Sequence, residues 1–65
     1  MTLGQSIKTR RVKLGLTQTD LALKLNVSFQ TVSKWEKDIN EPDVKTLKKL
    51  SLIFGCSIDE LVGFN

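Results

Sequence analysis

Residues 29–37, FQTVSKWEK, hold the densest set of side chains able to recognise a patterned polar surface. At helical spacing Val32 and Trp35 share one side, so Phe29, Gln30, Ser33, Lys34 and Lys37 fall on the other. A glutamine amide donates and accepts at once, which matches N6 and N7 of adenine, and a lysine ammonium donates to O6 and N7 of guanine. Ser33 is chemically permissive and reads little alone. Phe29 makes no base hydrogen bond, yet its ring can pack on a thymine methyl. The chemistry suggested is the reading of base edges in a duplex. The plainer alternative is a solvated polar face, with Phe29 folded back onto the preceding helix or the Val32–Trp35 side one turn away.

What would hold such a helix in place is written just upstream. Thr17, followed three residues later by Asp20, predicts a helix over 18–25 that buries Leu21, Ala22 and Leu25. Ser28 predicts a second start, only eleven residues after the first, for a helix over 29–37. Between them lies Leu25-Asn26-Val27, and asparagine is the non-glycine residue best suited to the left-handed conformation of a sharp turn. Helix, tight turn and a second helix with one polar face is the helix-turn-helix plan, whose second helix enters the DNA major groove.

Three further helices complete the expectation. One covers 4–14, with Leu3, Ile7 and Leu14 on a common side and Gly15 ending it. Asp38-Ile39-Asn40-Glu41-Pro42 is turn chemistry, and Pro42 cannot continue a helix. A fourth helix over 43–54 buries Leu47, Leu50 and Phe54, faces Lys45, Lys48 and Lys49 outward, and stops at Gly55. A short fifth over 58–62 opens with a Ser57/Glu60 capping box and is anchored by Leu61. No strand, repeat or linker is evident. The expected fold is an all-α compact five-helix bundle forming a single domain over residues 1–65.

Composition restricts the function classes. At 65 residues the chain is one small domain, and its 40% hydrophobic content suits a core rather than a disordered tail. No run approaches the ~20 apolar residues of a membrane span. The start, MTLGQSIKTRR, lacks the apolar centre of a signal peptide and is expected to be part of the fold. Cys56 is the only cysteine, so no internal disulfide forms, and a cytoplasmic setting is expected. A buried inert thiol is the favoured reading of Cys56 over a redox sensor. There is no histidine, and no phosphate loop, metal cluster or nucleophile beside a base, so neither an enzyme nor a cofactor or small-molecule ligand is expected. Asp59 and Glu60 are adjacent carboxylates, but capping and solvent account for them. The net charge of +3 is uneven: residues 1–37 carry seven basic against two acidic residues, and 38–65 carry three against five. The positive half contains the helix-turn-helix, as neutralisation of phosphate requires. Uneven charge for solubility is the alternative.

In order along the chain, LGLTQ, LALKLNVS, QTVSKWE, EPD and LIFGCSIDEL resemble the lambdoid phage repressor and Cro helix-turn-helix family, also called the xenobiotic-response-element type. The resemblance covers residues 4–62. It implies a five-helix DNA-binding domain that acts as a homodimer on a palindromic operator, and hence a sequence-specific transcriptional regulator, most often a repressor. Its partner is double-stranded DNA, in the cytoplasm of a bacterium or encoded by a phage.

Position by position, the resemblance implies that Phe29, Gln30, Ser33 and Lys34 face bases. Gln18, at a helix start suited to anions, is implied to clamp a phosphate and to brace the reading helix. Arg11, Thr17, Ser28, Lys37 and Asn40 join it along the phosphate strand. Arg11 also matches the arginine that pairs with Glu36 and fixes the angle of the reading helix. Trp35 is core. Leu23, Val62 and Phe64 have no evident core position, and the C-terminal end, with Val62 and Phe64, is the implied dimer interface. Two departures stand out. Relatives often carry a polar residue where Phe29 stands, and Asn-Gly where this chain has Lys37-Asp38, whose carboxylate would repel a phosphate. The competing class is a protein-binding adaptor on the same fold.

Overall fold

Each helix begins at a side chain that accepts the backbone N–H three residues on. Thr2, Thr17, Ser28, Asp43 and Ser57 do this for α1 (Leu3–Lys13), α2 (Gln18–Leu25), α3 (Phe29–Glu36), α4 (Val44–Phe54) and α5 (Ile58–Val62). The computed structural model describes residues 1–63. Reciprocal capping boxes close α2 with Asp20 and α5 with Glu60. A third, not anticipated, closes α1: Thr2 Oγ1 accepts from the Gln5 amide at 3.1 Å and Gln5 Oε1 accepts from the Thr2 amide at 2.9 Å. Asn26, with φ 58°, ends α2 in the left-handed conformation, and the Val27 amide reaches back to the Ala22 carbonyl at 3.0 Å. Gly55, with φ 67°, ends α4 in the same way.

The core gathers one or more side chains from every helix: Ile7, Leu21, Ala22, Leu25, Val32, Trp35, Leu50 and Leu61. Leu3, Val27, Leu47, Ile53, Phe54 and Cys56 pack around them. α3 lies against both α1 and α2, while α5 rests on α1 and α4. Among the described residues no strand is present.

Leu14 does not follow Ile7 into the core, although periodicity sets the two on a common side. Leu14 is 51% exposed, because it is the C-cap of α1 and the chain turns away at Gly15. The buried residues of α1 are Gly4, Ser6, Ile7 and Arg11, with Leu3 packed at the edge of the core, so Ile7 is its one fully buried large apolar residue. α1 is thus joined to its neighbours by polar contacts as well as by apolar burial. Gly4 is required by close approach: a Cβ there would strike the Trp35 carbonyl oxygen and lie 2.7 Å from a carboxylate oxygen of Asp38.

Candidate nucleic-acid interface

α3 presents two unlike sides. Val32 and Trp35 are buried against α1 and α2, which leaves Gln30 and Lys34 exposed and Ser33 half-buried. Phe29 is 50% exposed, so about half of its surface stays open to solvent. The outward side therefore carries an amide, a hydroxyl, an ammonium and an aromatic ring. These are groups able to match donors, acceptors and a methyl on base edges.

The opposite end of α3 is tied down by a polar cluster. Arg11 from α1 grips Glu36 with two parallel bonds, Nε to Oε2 at 2.6 Å and Nη2 to Oε1 at 3.1 Å. Its third nitrogen, Nη1, donates to the Leu16 carbonyl at 2.8 Å. From α2, Gln18 Nε2 donates to Glu36 Oε1 at 3.0 Å. The paired side chains are only 10% and 3% exposed. The carboxylate bonded to it holds the Arg11 guanidinium even more firmly in its charged form, against the opposing effect of burial. Removing such a charge from water is costly, and two-pronged geometry with further hydrogen bonds is what offsets the cost. Glu36 joins three helices at one point. All three nitrogens of Arg11, the residue expected both to pair with Glu36 and to meet phosphate, are engaged inside the protein.

The other expected phosphate residues occupy the ends of α2 and α3. Thr17 and Ser28 are exposed and cap α2 and α3, with Ser28 Oγ also 2.9 Å from Thr31 Oγ1. Gln18 is half-buried at the first position of α2. Lys37 and Asn40 are exposed just after α3.

Between them, Asp38 takes a path that local sequence did not reveal. It adopts φ 59°, its amide donates to the Trp35 carbonyl at 3.0 Å, and its carboxylate turns to the start of α1. There Oδ1 accepts from the Gly4 amide at 2.9 Å, and Oδ2 accepts from the Thr2 hydroxyl at 2.7 Å. The available signal was indirect: a glycine near the start of an otherwise regular helix, and a Thr-x-x-Gln cap beside it.

Val62 is half-buried on α5, and Phe64 lies outside the described residues. Among the described residues no group of His, Cys, Asp and Glu could hold a metal ion, and no helix is long and apolar enough to cross a membrane. Cys56 is a half-buried free thiol packed on the core.

The helix-turn-helix family profile matches residues 7–61. The chain is 43% identical over 63 residues to the HTH-type transcriptional regulator ImmR of Bacillus subtilis, covering 97% of this chain and 50% of that protein. It is 42% identical over 57 residues to the HTH-type transcriptional regulator DicA of Escherichia coli, covering 88% and 42%. The chain thus spans half or less of the length of these two relatives. Among solved structures, the P22 c2 repressor in complex with a synthetic operator superposes with a TM-score of 0.92 at 34% identity, covering 100% of this chain and 98% of that one.

Proposed function

This chain belongs to the helix-turn-helix family, whose members named above are regulators of transcription rather than enzymes, and on that premise we propose how it regulates. It reads double-stranded DNA with α3 in the major groove and represses by occupying a promoter. The observation that carries this is the division of α3 into a buried Val32–Trp35 side and an outward side of Phe29, Gln30, Ser33 and Lys34. The similarity to a repressor bound to its operator supports it.

In this reading Gln30 and Lys34 discriminate bases by hydrogen bonding, and Phe29 favours a step containing thymine. Thr17, Gln18 and Ser28 at the two helix starts, with Lys37 and Asn40 beyond α3, follow phosphates and set the register. Arg11 and Glu36 act one step back, by holding α3 to α1. The protein binds as a homodimer through its C-terminal end, around Val62, on a palindromic operator in the cytoplasm. Each subunit reads one half-site.

The test is selection of the protein on a pool of randomised duplexes near physiological salt, followed by sequencing of what is retained. A palindrome with half-sites about one helical turn apart supports the full reading. Retention without a motif, fading steeply with salt, leaves only phosphate attraction. No retention would turn the reading toward a protein-binding adaptor.

A further inference from the structure

We infer that Asp38 is a positioning residue for DNA discrimination, because its carboxylate locks the exit of α3 onto the start of α1 through the Gly4 amide and the Thr2 hydroxyl. The inference rests on the DNA-reading role of α3. A single attachment between two helices leaves them free to pivot, whereas two separated attachments set a direction. α3 is attached to α1 twice: Glu36 to Arg11, and Asp38 to Gly4 and Thr2. Gly4 and Arg11 are seven residues apart on one side of α1, which is about 10 Å along the axis. Ile7 packs between them.

The local chemistry points the same way. Gly4 is the second residue of α1, so its amide has no partner within the helix, and the carboxylate supplies one. A negative charge at a helix start is also favoured by the helix dipole. Asp38 reaches this place by adopting φ 59°, a conformation unfavourable to most side chains. The absent Cβ of Gly4 permits the approach. A free carboxylate so close to the DNA-reading helix would oppose phosphate; Asp38 stays exposed, but both of its oxygens are held at the start of α1.

Two variants separate positioning from simple charge. Asp38→Gly keeps the left-handed turn and removes the carboxylate. Asp38→Asn keeps the shape and an acceptor oxygen but removes the charge. Each is titrated with the duplex selected by the parent protein and with a scrambled duplex of equal length, over a salt series. Gly4 amide exchange is followed by NMR without DNA, and Trp35 emission monitors folding. In Asp38→Gly the Gly4 amide exchanges faster. The ratio of specific to scrambled affinity falls by about tenfold, less than the full worth of the two hydrogen bonds removed, because the core still holds α3 near its place. Asp38→Asn restores most of that ratio, and the salt slope stays unchanged in both. Thr2→Ala removes one of the two clamp bonds together with the α1 cap, so it is read beside Gln5→Ala, which weakens the capping box alone; a ratio that falls in Thr2→Ala, less than in Asp38→Gly, and holds in Gln5→Ala decides the matter if Asp38→Gly does not fold. An unchanged ratio, or equal tightening on both duplexes, would overturn the inference, since charge alone would then explain Asp38. So would unchanged Gly4 exchange in Asp38→Gly. A parent protein that selects no duplex overturns the DNA-reading role itself, while Gly4 exchange still shows whether the clamp exists.

Discussion

Glu36 is the residue whose loss is felt farthest from its own position, because it accepts from Arg11 and Gln18 on two other helices. Glu36→Ala leaves a nearly buried guanidinium unpaired, at a cost of ~3–5 kcal/mol. That approaches the whole stability of a domain this small, ~5 kcal/mol. Urea unfolding followed by Trp35 emission measures it. Replacing both partners together, as Arg11→Met with Glu36→Leu, costs less than Glu36→Ala, because no charge is then stranded. A double variant less stable than the single one contradicts that ordering. The outward residues behave oppositely. Phe29→Ala and Lys34→Ala leave the unfolding midpoint nearly unchanged, since neither side chain is buried. Lys34→Ala loses ~1–3 kcal/mol of discrimination at one base position, and Phe29→Ala loses preference for thymine. Competition binding with single-base variants of the selected duplex reads both effects, and unchanged sequence preference in Phe29→Ala would remove Phe29 from the set.

At the scale of the element, the helices are held by their ends. The carboxyls of Asp20, Asp43 and Glu60 lie below their ordinary pKa values, each chiefly through hydrogen bonds with the residue it caps or is capped by. A depressed folded-state pKa means that the unfolded chain binds protons first as pH falls. The stabilisation is therefore complete above the ordinary carboxylate range and is lost as pH drops through the depressed values, below about pH 4. Thermal melts from pH 7 to 2 will show falling Tm only in that acid window. A flat profile there contradicts the capping account. The α2–α3 turn gives a second prediction. Asn26→Gly keeps Tm near the parent value, while Asn26→Val costs ~1–2 kcal/mol at its positive φ. These ends are also what made the elements legible. Thr17, Ser28, Asn26, Gly55 and Ser57 act on neighbours a few residues away, so their roles are written locally. The α2 bounds agree residue for residue with 18–25, and α4 starts one residue late because Asp43 is its cap. Leu14 misled because periodicity does not show where the chain leaves the core. The Asp38–Gly4 contact was hidden for another reason: its partners are 34 residues apart, and only the packed fold brings them together. Of the interface, the split of α3 was legible from spacing. The Arg11–Glu36 pair was reached through family resemblance, since nothing local joins helices so far apart in sequence.

At the scale of the whole molecule, eight buried apolar side chains form the core among the described residues and a single cysteine allows no internal disulfide, so little stability is held in reserve. Its most basic stretch, residues 1–37, includes α3 together with Arg11 and Gln18, which hold Glu36. DNA affinity is accordingly expected to fall linearly on a log–log plot against salt, and less steeply in Lys37→Ala, for both selected and scrambled duplexes. Equal slopes for parent and variant would take Lys37 off the phosphate path. The central claim is that the outward side of α3 reads base edges, and Gln30 tests it most directly. Parallel selections on randomised duplexes compare the parent protein with Gln30→Ala at one salt concentration. The account predicts the same overall motif with preference lost at one position in each half-site, an adenine in the parent, and the flanking positions unchanged. An identical motif in both selections, or a uniform loss of affinity without any change in base preference, would contradict it.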